Sequence, residues 1–152
     1  MKRFVVIEMI ESIGQRITKS LEDLTPEEAS WRPLPQANSI HLIVRHLCIE
    51  AQWHRAAIER GEPMPFETTE DLQHKIDSVP EDFEQNLRGF EEAYAGFLAA
   101  LRQATLATLQ QRTEMAYQGW PSRSRPAHLL GFHQAMHVSM HLGQINTIRN
   151  ET

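Results

Sequence analysis

Apolar positions recur at helical spacing along most of this chain. From about residue 3 to 23, Phe4, Ile7, Met9, Ile10, Ile13, Ile17 and Leu21 follow the period of an α-helix, with Gly14 the one strong internal breaker. Thr25-Pro26-Glu27-Glu28 is a capping box with proline at the first helical position. Pro33 and Pro35 follow too soon for a long helix, so one short turn and then a loop are expected. Asn38 or Ser39 can cap a second long helix, whose apolar residues Ile40, Leu42, Ile43, Leu47, Ile49, Trp53 and Ala57 continue until Gly61 and Pro63. Residues 61–78 sustain no period and exceed the usual length of a helix-hairpin connection, so they are expected to cross the length of the domain. Ser78-Val79-Pro80-Glu81 is a second capping box. After it, Phe83, Leu87, Phe90, Tyr94, Phe97, Leu98, Leu101 and Leu109 form the stripe of a third helix. Residues 112–123 contain Gly119, Trp120 and Pro121 and read as loop, with a short extended piece at Met115-Ala116-Tyr117. The last helix is expected to start near Ser124 to Pro126 and to run to about Arg149. Four long helices and almost no strand signal predict an all-α four-helix bundle, one domain spanning residues 1–152.

Composition narrows the function classes. The 15 basic and 20 acidic residues are scattered and leave a net charge of −5, which does not supply the concentrated basic surface that nucleic acid requires. Cys48 is the single cysteine, so an internal disulfide and C-x-x-C motifs are excluded by count. The apolar run near the start ends at Glu8, shorter than the core of a signal peptide. No segment approaches the roughly 20 apolar residues that span a bilayer. A soluble cytoplasmic protein with neither a nucleic-acid nor a membrane partner is expected.

The chemistry concentrates in the last helix, where His133, His137 and His141 are spaced four apart and Gly143-Gln144 follows. At roughly 100° per residue this series stays on one face. Two imidazoles at i and i+4 are a bidentate metal site in waiting, and a third donor must come from another helix. Helix 2 supplies His46, which shares a face with Leu42, Glu50, Trp53 and Ala57. If helices 2 and 4 are antiparallel, a rise of about 1.5 Å per residue puts His46 level with His141 and Glu50 beside His137. His133 then falls beside Trp53 and His54, roughly two turns from His46, too far to be a ligand. A parallel pair would separate His46 from His137 and His141. With the long crossover, the antiparallel requirement gives an up-down-down-up bundle in which helices 2 and 3 are the parallel pair.

Ser39-Ile40, His46-Leu47, the stretch His137-Val138-Ser139-Met140-His141-Leu142-Gly143-Gln144-Ile145 and Trp31-Arg32-Pro33 before helix 2 together resemble the DinB-like (DinB/YfiT-type) family of four-helix proteins. The C-terminal His-x-x-x-His-x-Gly-Gln piece is the most specific part. The resemblance implies an up-down-down-up bundle, frequent homodimers, and zinc, nickel or another divalent ion in an open three-histidine site. One histidine of helix 2 and two of helix 4 would hold it, which fall on His46, His137 and His141. It also implies one of two chemistries, transfer or isomerisation with a small cofactor thiol or metal-dependent hydrolysis.

Val138 stands where a zincin protease places its glutamate, and the Glu-x-x-His pairs of di-iron bundles are absent from the sequence. Nothing favours haem. His41, His54, His74 and His128 read as structural histidines. Glu50 is either a solvated helix residue or a carboxylate that orients a ligand or accepts a proton. Gln144 and Gly143 are either neighbours of the metal site or architectural, and Cys48 points away from His46 into the core. The expected activity is a metal-dependent transferase acting on a small-molecule substrate with a low-molecular-weight thiol. The alternatives are a metal-dependent hydrolase and a non-catalytic metal-binding stress-response module.

Overall fold

In the computed structural model, which describes residues 2–63, 74, 82–117 and 120–151, helix α1 spans Lys2–Leu21. Its glycine has a packing reason. The Tyr94 ring lies against Gly14, where a Cβ would collide with it, and the Tyr94 hydroxyl donates to the Ile10 carbonyl at 2.6 Å. The short helix α2 (Pro26–Ser30) opens with the expected capping box: Thr25 Oγ1 accepts from the Glu28 amide at 3.2 Å, and the Glu28 carboxylate accepts from the Thr25 amide at 2.8 Å. Ser39 rather than Asn38 caps α3 (Ile40–Arg60), which Gly61 ends in the left-handed conformation at φ 66°.

Asp82 caps α4 (Phe83–Gln103), while the Ser78–Glu81 box and most of the expected crossover, residues 64–73 and 75–81, lie outside the described residues. The third helix does not continue through Leu109. The backbone turns extended at Ala104, and the Thr105 hydroxyl takes the Thr108 amide at 3.1 Å, which caps a separate short helix α5 (Leu106–Gln110). A threonine side chain that can replace a helical carbonyl as acceptor explains the break.

The extended piece expected at Met115-Ala116-Tyr117 is part of a longer strand, and residues 120–123, expected as loop, are also strand. Strands β1 (Arg112–Tyr117) and β2 (Trp120–Pro126) form an antiparallel hairpin with Arg112 opposite Pro126 and Tyr117 opposite Trp120. In a two-stranded ribbon each strand is an edge, so Pro121 and Pro126 need not donate to a second neighbour. The Arg112 side chain bonds Ser124 Oγ at 3.0 Å, and Thr113 Oγ1 reaches the Glu62 carbonyl at 3.1 Å, which ties the hairpin to the end of α3. Because the hairpin takes up residues 124–126, the last helix α6 (His128–Arg149) starts later than expected.

Side-chain pairings give the helix directions. His41 meets Asn86, Cys48 meets Gly89 and Arg55 meets Gly96, so α3 and α4 run parallel. His46 meets His141 while His54 meets His133, so α3 and α6 are antiparallel. Gly131 lies on Val6 and Ile10, and Arg149 reaches the Ser20 carbonyl, so α1 and α6 are parallel. The bundle is therefore up-down-down-up. Phe90, Phe97, Ile10, Ile17, Ile43, Leu47, Leu130 and Ile145 are fully buried at its centre. Met9, expected in the α1 stripe, is instead 39% exposed. Among the described residues no helix is long and apolar enough to cross a membrane.

Candidate metal centre

The site is built where α3 and α6 cross. His137 and His141 stand one turn apart on α6, and His46 faces them from α3 with ring centroids 4.9 Å and 5.0 Å away. His46 thus sits between their levels rather than level with His141 alone. All three turn the same atom inward. His46 Nε2 lies 3.2 Å from His137 Nε2, which lies 2.8 Å from His141 Nε2, and a donor atom from each residue falls within 4.8 Å of the other two.

The opposite ring nitrogens explain why. His137 Nδ1 donates to the carboxylate of Glu50, a buried residue one turn along α3 from His46. His141 Nδ1 lies 2.7 Å from Gln144 Oε1 and donates to it. With the proton of each neutral ring on Nδ1, the Nε2 atoms of His137 and His141 present lone pairs to each other. A packed histidine pair in a core would place an N–H against a nitrogen, whereas here both donors point outward, an arrangement that suits a cation between them. Glu50 also stands 3.6 Å from His46 Nε2, but it does not join the group of atoms within 4.8 Å. Its geometry is that of an orienting group on His137.

Electrostatics follow the same division. Burial, followed by the neighbouring His137 and His46, pushes His141 down to about 4. Burial also lowers His46, against the pull of Glu50. For Glu50 burial alone would raise the carboxyl, but the His137 hydrogen bond and the surrounding imidazoles outweigh it and hold it at about 2. Lowered imidazoles at His46 and His141 beside a carboxylate held ionised at Glu50 match the protonation states that a divalent ion needs.

His133 is not part of this group. Two turns along α3 from His46, His54 Nδ1 donates to the Glu50 carbonyl at 2.7 Å, and its Nε2 lies 3.1 Å from His133 Nδ1 with the two rings stacked. Burial, then His54, pushes His133 down to about 4. His41 bonds buried Asn86 at 3.0 Å, and His128 Nδ1 faces the Leu109 carbonyl at 3.2 Å. His74 is exposed. Cys48 is buried in the core, and burial raises its thiol. Trp53 is half-buried against the core and Trp31 is at the surface, while the side chain of Trp120 is outside the described residues. The Asn86 tie between α3 and α4 was missed from sequence, although an asparagine one turn from Phe83 and Phe90 on the apolar stripe was the available signal.

The fold has solved counterparts. A mycothiol-dependent maleylpyruvate isomerase superposes with a TM-score of 0.75 at 16% identity, over 95% of this chain and 61% of that one. The chain therefore spans about three-fifths of the isomerase's length. YfiT from Bacillus subtilis, described as a probable metal-dependent hydrolase with an unusual four-helix bundle topology, gives 0.73 at 14% identity over 98% and 86% of the two chains. A DinB-like protein from Bacillus cereus ATCC 10987 gives 0.64 at 20% identity over 94% and 85%. Likeness at these identities concerns the fold. Among curated proteins none matches the chain. Residues 5–152 match the family described as mycothiol-S-transferase, so the chain belongs to that DinB-like family.

Proposed function

We propose that this protein is a metal-dependent transferase that binds one divalent ion, zinc or nickel, at His46, His137 and His141 and uses a small thiol as co-substrate. The observation that carries the reading is the convergence of three Nε2 atoms whose partners on the far side, Glu50 and Gln144, hold two of the rings with lone pairs inward. Family membership and the mycothiol-dependent isomerase among its structural neighbours support a thiol as the second component. A divalent ion in an open three-histidine site supplies Lewis acidity, which lowers the pKa of a bound thiol or water into the neutral range.

The chain's own contribution is orientation. Glu50 fixes the His137 tautomer and, as a carboxylate, increases the basicity of its Nε2. Held at about 2 and engaged by His137, it is a weak proton acceptor at neutral pH, so positioning is its main role. Gln144 does the same for His141 without charge. The antiparallel α3–α6 pair brings the three nitrogens together from two sides, and a small-molecule substrate would bind beside them. A reducing cytoplasm would suit both a thiol co-substrate and the free Cys48.

The test incubates zinc- or nickel-loaded protein with low-molecular-weight thiols and a panel of electrophiles, beside ester and amide substrates. Turnover that requires both metal and thiol and disappears in His137→Ala is expected. Thiol-independent hydrolysis that is lost in the same variant would instead support the hydrolase reading, which the YfiT likeness favours. Stoichiometric metal without turnover of any substrate would favour a non-catalytic module.

A further inference from the structure

Helix α6 carries no Asp, Glu, Lys or Arg from His128 to Ile148, and its outer side exposes Met136 and Met140 at 65% and 62%. A different group of exposed apolar residues stands where α6 begins. Val5, Leu106 and Phe132, at 60%, 70% and 49% exposure, form the lip of an apolar groove of about 630 Å³. Its floor is core: Ile7, Leu101 and Leu109 line the same groove and are buried. Single exposed leucines need no explanation, whereas three apolar lips around a hole that reaches the core do. Helix α1 supplies Val5 and Ile7, and α6 supplies Phe132. The break after α4 builds the remaining wall. The extended Ala104 and the Thr105 cap start α5 anew, so Leu106 and Leu109 close on the starts of α1 and α6 instead of extending α4. Two bonds hold α5 there: the Ala127 amide donates to the Gln111 carbonyl at 2.8 Å, and His128 Nδ1 donates to the Leu109 carbonyl at 3.2 Å.

We propose that this groove binds an uncharged, straight-chain aliphatic molecule with a hydroxyl head group, at a site separate from the metal centre. Its volume lies within the roughly 300–1,000 Å³ of small-molecule sites, and a hole that ends on buried side chains takes a slender ligand rather than the broad face of a protein. Charge complementarity narrows the class. No Asp, Glu, Lys or Arg lines the groove, so an ionised ligand would give up hydration with no opposite charge to meet. The polar groups in the lining are Gln110 and His128. Because Nδ1 of the neutral His128 ring gives its proton to the Leu109 carbonyl, Nε2 is an acceptor, which suits a hydroxyl that donates. Phe132 is the one aromatic residue of the lining and the other apolar walls are aliphatic, which favours an alkyl chain over a flat ring. His46, His137 and His141 take no part in the lining, so the two sites are separable.

Titration calorimetry of the full chain with straight-chain hexanol, octanol and decanol should show a single site whose affinity rises about three- to fourfold per added methylene. Octanoate should bind about tenfold more weakly than octanol, and the methyl ether of octanol about fivefold more weakly. His128→Phe should erase the difference between alcohol and ether. Leu106→Glu, at a side chain already 70% exposed, should weaken octanol binding by about tenfold with circular dichroism unchanged. His137→Ala should bind octanol as the wild type does. Methyl resonances of Val6, Leu101 and Leu109 should shift during the titration, which keeps the test decisive if His128→Phe fails to fold. The proposal is overturned if no alcohol binds saturably, if octanoate binds as tightly as octanol, or if Leu106→Glu leaves octanol binding unchanged. Loss of the site as protein concentration rises, the result expected if a second copy covers the groove, would overturn it too.

Discussion

Helices α3 and α6 bring histidines together twice, at layers eight residues apart along α3, and the two layers use the same ring in opposite ways. In the His54–His133 layer the inward nitrogens satisfy each other: His54 gives its Nδ1 proton to a carbonyl and takes a hydrogen bond from His133. In the His46–His137–His141 layer the two protons whose acceptors are defined point outward, to Glu50 and Gln144, and the inward Nε2 atoms of His137 and His141 face each other. Spacing alone does not separate a ligand from a structural histidine. What separates them is where the second nitrogen of each ring finds its partner.

Mutations should divide along that line. The largest effect expected is loss of metal affinity by about a thousandfold or more in His137→Ala, measured by competition with a chromogenic chelator, because this ring supplies the central nitrogen. His133→Ala should leave stoichiometry intact in the same titration. His54→Ala should invert the pattern: metal is retained, but denaturant unfolding should show a loss of about 2–4 kcal/mol, from the cavity and the unpartnered groups left by a fully buried side chain. Glu50→Gln should lower metal affinity about 10- to 100-fold, and Gln144→Ala by about tenfold or less, since the carboxylate both orients and polarises its ring while the amide only orients.

The smallest effect is in pH dependence. Below about pH 6.5 the unfolded chain protonates histidines that the fold keeps neutral, with His141 and His133 at about 4. Stability of the metal-free protein should therefore fall as pH drops from 7 towards 4. The Glu50 contribution has the opposite origin, a lowered carboxyl, and is present above about 4.5 and lost as pH falls towards 2. Thermal melts at pH 7, 6, 5 and 4 should show a shallower slope for His133→Gln than for wild type.

The bundle was legible because its information is periodic. Apolar spacing marks α1, α3, α4 and α6, and counting rise per residue places Glu50 beside His137 and His133 beside His54, as observed. What the pattern missed was local. The α4 break depends on the Thr105 hydroxyl capturing one amide, and the strands over residues 112–117 and 120–126 depend on pairing between two segments that carry no alternation of their own. The inward tautomers were equally hidden, since they depend on how close Gln144 and Glu50 come to their rings. The exposure of Met136 and Met140 was also out of reach, because a helix without a polar side gives no clue to which part of it stays uncovered.

The central claim is that three imidazoles from two helices hold one ion. X-ray absorption of the zinc-loaded protein tests it most directly. The expected spectrum has a nearest shell at about 2.0–2.1 Å containing three imidazole nitrogens, with the remaining scatterers light, and the imidazole count falls to two in His46→Ala. A wild-type shell with fewer than three imidazoles, or one that His46→Ala leaves unchanged, would contradict it.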